Sequence, residues 1–148
     1  MKHIVIMSLL LLGLGLSPVG SLSAFAQGID QTKQVDGGPP PSATPTGCAS
    51  ECKTCASECE KTLAYCLKQG GKHKESKHIQ ALKDCIATCK ISQDFMSRGS
   101  DLSSQTCAVC AEACKRCAES CATFKDKAMQ QCADECKKCE ESCASMSK

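Results

Sequence analysis

The chain has 148 residues, enough for about one domain, and only 3% of them are aromatic, so a large aromatic core is excluded. Eighteen basic and sixteen acidic residues leave a formal charge of +2, which is too small for a nucleic-acid-binding surface. Cysteine is the unusual component, with 16 residues, a content typical of proteins that hold their sulfurs in disulfides or on metal ions.

The first 26 residues are predicted to be a cleavable secretory signal peptide. Lys2 precedes an apolar run over residues 4–16, and Ala24-Phe25-Ala26 supplies the small residues that signal peptidase requires. A membrane anchor is the alternative, but the 13 residues of the run are short of the roughly 20 needed to cross a bilayer. We therefore expect Sec-type export to the periplasm or the extracellular space, with no membrane attachment after cleavage.

Residues 27–46 are rich in Gly, Pro, Thr and Ser and contain almost nothing apolar to bury. This composition predicts a flexible tether. All sixteen cysteines follow it, and no proline occurs among them to interrupt a helix. Residues 47–148 are therefore predicted to form the folded domain.

Within the predicted domain the cysteines recur at gaps of three, four or seven residues, the period of one face of an α-helix. Lys, Glu, Asp and Gln fill the positions between them, as on the solvated face of an amphipathic helix. The pattern predicts helices over 47–69, 75–97, 102–124 and 128–146. Their cysteines are Cys48, Cys52, Cys55, Cys59 and Cys66; Cys85 and Cys89; Cys107, Cys110, Cys114, Cys117 and Cys121; and Cys132, Cys136, Cys139 and Cys143.

The breaks between the predicted helices follow turn residues. Gly70-Gly71 ends the first helix, Gly99 marks the second turn, and Asp126 is a candidate N-cap of the fourth helix. The third break has the weakest signal, because Cys121 and Cys132 are three helical turns apart, and one continuous helix over 102–146 is the alternative. Short connections favour an all-α fold, an antiparallel up-down four-helix bundle with a cysteine-lined core.

Thiols four residues apart on a helix are neighbours, close enough for two thiolates to bind one soft cation. Seven pairs have this spacing and leave Cys66 and Cys107 for bridging between helices. Two thiolates suit Cu(I), whereas each tetrahedral zinc ion would need four sulfurs from paired helices. The capacity would be about 8 ions with two private thiolates each and would approach about 16 if every sulfur bridged two ions. Such numbers indicate storage.

Three cysteine motifs resemble those of the four-helix-bundle copper storage proteins. They are CAVCAEACKRCAESC over 107–121, CADECKKCEESC over 132–143 and CIATC over 85–89, and the resemblance covers about residues 48–146. It implies a bundle that binds many Cu(I) ions reversibly, an exported branch of the family, and frequent assembly into homo-tetramers. Copper donor or acceptor proteins are the partners that this function would require.

The resemblance also implies that copper enters at one end of the bundle, past His and Met side chains. In the antiparallel bundle His73, His78 and Met129 fall at the same end and are the candidate loading residues. Met96 and Met146 are expected to meet at the opposite end, near Cys48 and Cys107. The family often has a histidine at the position of Phe124, so the loading ligands differ in this chain.

The main alternative is a disulfide-stapled helical binding or structural module, since an exported protein meets an oxidising compartment. However, packed helix axes lie about 8–10 Å apart, and a disulfide needs Cα atoms about 4.4–6.8 Å apart. Rows of inward-facing cysteines therefore allow disulfides between helices at only a few positions. An iron–sulfur carrier is disfavoured because no Cys-Pro follows looped CxxCxxC motifs. No catalytic triad, phosphate loop or zinc-hydrolase motif is present, so we expect no enzyme.

Overall fold

The structure is a computed structural model that describes residues 44–148. It contains four long α-helices: α1 over Pro45–Gln69, α2 over Ser76–Ser97, α3 over Ser103–Ala122 and α4 over Lys127–Met146. A single 3-10 turn, Gly71–Lys74, lies between α1 and α2. The predicted signal peptide and nearly all of the predicted tether lie outside the described residues, so both remain predictions. None of the helices between residues 44 and 148 is both long enough and apolar enough to cross a bilayer.

Helix α1 begins two residues before the predicted start. Thr44 is its N-cap, because the Thr44 Oγ1 accepts a hydrogen bond of 3.0 Å from the Gly47 backbone N–H, and Pro45 occupies the first helical position. Proline is favoured there since its missing N–H would have no intrahelical partner. The assignment of Thr44 and Pro45 to the tether was therefore wrong, and their local signal was a helix start.

Helices α3 and α4 are separate, as predicted, and the alternative of one continuous helix is wrong. Helix α3 ends at Ala122, two residues before its predicted end, and Phe124 lies in the turn that follows. Asp126 stands at the N-cap position of α4 but forms no capping hydrogen bond with its side chain. The capping prediction was wrong because the Asp126 carboxylate accepts hydrogen bonds from residues outside the helix, described below.

Cross-helix contacts show that the bundle runs up-down-up-down. Each helix packs against its neighbours in sequence, α1 also packs against α4, and the diagonal pairs of described helices do not approach through their backbones. The start of α1 meets the end of α4, where Cys48 and Cys143 sulfurs lie 3.6 Å apart. The end of α3 meets the start of α4, where Cys121 and Cys132 sulfurs also lie 3.6 Å apart. The all-α antiparallel four-helix bundle is confirmed.

Gly70 and Gly99 end helices α1 and α2 with positive φ angles of 73° and 64°, a region in which glycine is unstrained. The core enclosed by these turns contains few ordinary apolar side chains. Leu82 and Met129 are the largest side chains that are fully buried in the described residues, and cysteine fills most of the remaining core. Since a protonated thiol packs as a small hydrophobe, the bundle has a core made mainly of sulfur.

Candidate metal centre

All sixteen cysteines point into the bundle and are buried as free thiols. Their sulfur atoms fill the space among all four helices. Diagonal approaches demonstrate this, since Cys59 on α1 lies 4.0 Å from Cys117 on α3, and Cys85 on α2 lies 3.9 Å from Cys136 on α4. The predicted cysteine-lined core is therefore one continuous column of sulfur.

The shortest sulfur–sulfur distances join different helices. Cys52 lies 3.4 Å from Cys143, and Cys110 lies 3.5 Å from Cys89. Within single helices the spacing is looser, with 4.0 Å between Cys85 and Cys89 and 3.9 Å between Cys110 and Cys114. In these two pairs the neighbours four residues apart are close, as the spacing predicts, but the cross-helix neighbours are closer. Two sulfurs that could bind one metal ion are therefore available both within a helix and between helices.

Thirteen of the sixteen sulfurs belong to groups whose members all lie within 4.8 Å of one another. Four groups contain four sulfurs and one contains three. They are Cys52, Cys89, Cys110 and Cys139; Cys55, Cys59, Cys85 and Cys136; Cys55, Cys89, Cys114 and Cys139; Cys59, Cys117, Cys132 and Cys136; and Cys48, Cys52 and Cys143. The first of these takes one cysteine from each helix.

The four-sulfur groups correct one step of the sequence argument. That argument disfavoured zinc because paired helices would have to supply four sulfurs to each ion, and the bundle does supply them. However, the groups share members such as Cys55, Cys59 and Cys136, so no more than two four-sulfur groups are free of a common sulfur. Low-coordinate Cu(I) tolerates shared, bridging thiolates, whereas tetrahedral zinc would leave much of the column unused.

The three cysteines outside these groups lie towards the ends of the column. Burial raises the pKa of the Cys66 thiol to about 11, with further contributions from Cys132 and Asp126. Burial likewise raises the pKa of Cys107. Cys121, the third, lies 3.6 Å from Cys132. At neutral pH Cys66 and Cys107 are therefore protonated in the metal-free bundle, and metal binding there must displace protons.

At one end, Cys66, His78 and Met129 form a compact cluster, hereafter the His78 cluster. The Cys66 sulfur lies 3.4 Å from His78 Nε2 and 3.6 Å from the Met129 sulfur. The other ring nitrogen, Nδ1, lies 2.7 Å from the Ser120 hydroxyl, which orients the imidazole. Burial lowers the pKa of His78 and so favours the neutral ring, the form that binds metal. Two of the three candidate loading residues are thus together beside a thiol.

His73, the third candidate loading residue, lies outside the His78 cluster. Its Nε2 is 3.0 Å from Asp126 Oδ2, and its ring packs against Phe124 at a centroid distance of 4.6 Å. The Tyr65 hydroxyl donates a 3.0 Å hydrogen bond to Asp126 Oδ1. These two bonds, first from His73 and then from Tyr65, hold the pKa of the Asp126 carboxyl below its usual value. The carboxylate is occupied, which explains why it does not cap α4.

The opposite end contains sulfur ligands of a different kind. The Cys107 thiol donates to the Met96 sulfur at 3.6 Å, and Met146 packs against the core as a partly buried side chain. Met96 is only 6% exposed. The structure therefore places Met96 beside Cys107, as expected from the antiparallel order, and the end differs from the other in lacking a histidine among these contacts.

Sequence reasoning missed Ser120, Tyr65 and the side-chain role of Asp126. Ser120 lies one residue before Cys121, and the cysteine spacing of the helix carries no information about its hydroxyl. Tyr65 and Asp126 are 61 residues apart, and no spacing rule predicts their hydrogen bond. The one available signal was Tyr65 itself, since it is the only tyrosine of the chain and a buried or half-buried tyrosine hydroxyl usually has a partner.

The comparisons with known proteins agree with this geometry. Residues 42–148 match the family model described as Csp, copper storage protein. The fold is similar to the Nmul_A1745 protein from Nitrosospira multiformis, with 36% identity, a TM-score of 0.67, and coverage of 70% of this chain and 94% of that one. Among curated proteins no sequence matches this chain.

Two further solved structures are similar to the chain, and both carry the name of the family. One is the Cu(I)-bound copper storage protein BsCsp3, with 29% identity, a TM-score of 0.65, and coverage of 68% of this chain and 95% of that one. The other is the apo form of copper storage protein 3 from Bacillus subtilis, with 28% identity, a TM-score of 0.62, and coverage of 68% and 96% respectively. This chain belongs to the copper storage protein family.

Proposed function

We propose that the chain stores Cu(I), holding many ions on the inward-facing thiolates of the bundle. The observation that carries the proposal is the sharing of sulfurs between groups. Cys59, for example, lies within 3.5–4.0 Å of Cys85, Cys117, Cys132 and Cys136. A sulfur with four sulfur neighbours suits bridging between several soft ions, whereas a disulfide uses each sulfur once.

Storage through this column requires an exchange of protons for metal. In the empty bundle the thiols are buried, and a row of buried thiolates without cations would be strongly unfavourable. Each arriving Cu(I) replaces thiol protons and compensates the charge that their loss creates. The same exchange makes release possible when an acceptor offers competing ligands. The bundle itself can fold without metal, because protonated thiols pack as hydrophobes.

The His78 cluster is the proposed loading point. It offers a neutral imidazole, a thioether and a thiol at one end of the column, and all three are ligands that bind Cu(I). From Cys66 the ion would pass to Cys117, Cys121 and Cys132, which occupy the same end of helices α3 and α4. The match of residues 42–148 to the copper storage protein family supports a storage role for this column.

The remaining parts of the proposal concern export and assembly. The predicted signal peptide supports storage in the periplasm or the extracellular space. Association of several copies is supported by an apolar face on the outer side of α2 and α3, where Ile91, Leu102 and Val109 are each at least half exposed. Light scattering of the mature protein is expected to give a homo-oligomer, a tetramer by family resemblance, and a stable monomer would contradict this part.

An anaerobic titration of the fully reduced mature protein tests the storage proposal. Cu(I) is supplied from a chelator of known affinity after free thiols have been counted, and zinc is titrated in parallel. We expect eight or more tightly bound Cu(I) ions per chain, with thiols consumed in step. A zinc capacity of about two ions is expected from the two independent four-sulfur groups. One or no copper ions, with most thiols already oxidised on purification, would support the disulfide-stapled module instead.

A further inference from the structure

The His78 cluster is closed off from solvent. Cys66 and Met129 have no exposed surface, and His78 is 4% exposed. Phe124, itself largely buried, packs its ring against His78 with a centroid distance of 4.8 Å. A copper ion cannot reach these ligands without displacement of side chains, so the end of the bundle must open for loading.

Three rings in a row form the closure. His73 packs against the Phe124 ring at a centroid distance of 4.6 Å and His78 packs against the same ring at 4.8 Å, so Phe124 contacts both histidines. The Lys72 ammonium lies 5.1 Å from the centre of the Phe124 ring, a cation–π contact that adds to the closure. His73 therefore contacts the cluster through Phe124, and the partner of its Nε2 is Asp126, whereas the imidazole that lies beside the Cys66 thiol is that of His78.

Asp126 fastens the closure to the rest of the bundle. Its two carboxylate oxygens are divided between His73 Nε2 and the Tyr65 hydroxyl, each at 3.0 Å. Tyr65 also meets the His73 ring edge-on at a centroid distance of 5.7 Å. The loop is thus tied to both α1 and the start of α4, at the expense of the side-chain cap that an N-cap aspartate normally provides to its helix.

The segment that carries His73 is built to move independently. The Gly71–Lys74 turn has no buried residue, so its displacement removes no side chain of its own from the core. It begins at Gly71, directly after Gly70, and the positive φ angles of these two glycines, 51° and 73°, belong to a region in which glycine tolerates the large backbone changes of a hinge. Few apolar contacts and a glycine hinge are properties of segments that open locally at low free-energy cost.

We propose that the His73–Asp126 hydrogen bond is a latch that holds the Gly71–Lys74 turn and Phe124 over the His78 cluster, and that Cu(I) loads when this latch opens. The inference rests on the proposed storage function, because it concerns access to the same column. His73 and Asp126 are positioning residues here, and neither binds the ion. Opening of the latch limits the loading rate, while the number of ions held by the thiolates does not depend on it.

The latch and a ligand role for His73 predict opposite effects of substitution. If His73 were a loading ligand, its removal would slow the transfer of copper. If it is part of a latch, His73→Gln and Asp126→Asn each raise the open fraction, and loading becomes about five-fold faster, the change expected from losing one partly buried hydrogen bond to a carboxylate. Tyr65→Phe removes one neutral-donor hydrogen bond and is expected to give a smaller increase, about two-fold.

The experiment is anaerobic stopped-flow transfer of Cu(I) from its bicinchoninate complex to the reduced full-length mature protein. The donor concentration is raised until the wild-type rate levels off at the opening rate, and the latch variants are expected to level off at a higher value with unchanged capacity. Asp94→Asn is the matched control, because it removes the exposed Asp94–Arg98 ion pair at the other end of α2, and its rate should equal the wild-type rate. Thermal melting checks that each variant is folded.

Amide hydrogen exchange supplies a readout that does not need copper. In the latch variants the amides of residues 71–74 should exchange faster, while those in the middle of α2 and α3 stay protected. Slower or unchanged loading in both variants, with normal copper capacity, would overturn the latch and leave the storage proposal intact. A wild-type protein that takes up no copper would overturn the storage proposal, and the exchange experiment would still decide whether the turn is latched.

Discussion

Both ends of the bundle contain a contact between a cysteine sulfur and a methionine sulfur, but the residues around the two contacts differ. At one end the Cys66 sulfur lies 3.6 Å from the Met129 sulfur, and at the other the Cys107 sulfur lies 3.6 Å from the Met96 sulfur. Among residues 44–148, only the first pair has a histidine beside it, under a loop that the His73–Asp126 hydrogen bond holds in place. A thiol and a thioether at both ends mean that ligand type alone does not define a loading point. The proposal that loading occurs at the first end therefore rests on the added imidazole and on the loop that covers it.

The largest expected effect is on the loading rate when the thioether or imidazole is removed from the His78 cluster. Met129→Leu conserves volume, and in combination with His78→Gln it should slow copper transfer on the order of ten-fold, because two ligands of the first binding step are lost. Final capacity should stay nearly constant. Met96→Leu is the matched control at the opposite end. A slower rate in Met96→Leu alone would reverse the comparison and place loading at the Cys107 end.

A second prediction concerns the buried thiol at each end, Cys66 and Cys107, and the stability of the apoprotein at alkaline pH. Burial raises the pKa of both Cys66 and Cys107, so the folded state holds these protons more tightly than the unfolded state. Their contribution to stability is complete below the unfolded pKa of 9.0 and is lost as the pH rises towards about 11, the folded pKa of Cys66. The melting temperature of the reduced apoprotein should therefore fall above pH 9, by about 5 °C or more.

Cys66→Ser and Cys107→Ser test whether these two thiols cause the pH dependence of the melting temperature. Each should make the melting temperature less dependent on alkaline pH in anaerobic melts from pH 8 to 11. A melting temperature that does not change over this range in the wild type would show that neither thiol is held in a protonation-sensitive site.

A third prediction concerns stability at acidic pH, where only the end that contains His78 is expected to contribute. Burial lowers the pKa of His78, so the unfolded chain binds this proton more readily than the folded one. The resulting stability is complete above the ordinary histidine value of 6.5 and is lost as the pH falls below it. His78→Gln should therefore melt with less pH dependence between pH 7 and 5 than the wild type. An equal dependence in both proteins would remove His78 as the cause.

The smallest effect expected is a change of opposite sign at two serines, one buried and one partly buried. Ser92, on the α2 stripe leading towards Met96, has a buried hydroxyl without a hydrogen-bond partner. Ser92→Ala should stabilise the apoprotein by about 1 kcal/mol. Ser120→Ala should destabilise it by about 1 kcal/mol, since the Ser120 hydroxyl bonds His78. Urea unfolding measures both, and the same sign for the two variants would contradict this account of the hydroxyls.

Much of the fold follows from the cysteine spacing. Gaps of three and four place the thiols on one face of each helix, and Gly70 and Gly99 end two helices where the pattern stops. Local chemistry also explains the error at the start of α1, because Thr44 followed by Pro45 is a helix-start signal that composition obscured. Such features lie within a few residues of each other in sequence.

The arrangement of ligands around the column is less accessible to sequence reasoning. Periodicity assigns each thiol to a helix face, but the register between helices depends on turn geometry and packing. The pairing of Cys52 with Cys143 spans 91 residues, and the contact of His73 with Asp126 spans 53. His78 was placed correctly because it follows the helical stripe, whereas His73 lies in a turn where no period constrains its direction.

Anomalous diffraction at the copper edge from crystals of the Cu(I)-loaded protein tests the central claim most directly. The account predicts many copper peaks along the bundle axis, each within bonding distance of two or more sulfurs, with many of the bridged pairs joining different helices. Copper confined to surface sites, or a core in which the sulfurs are joined as disulfides and hold no metal, would contradict it.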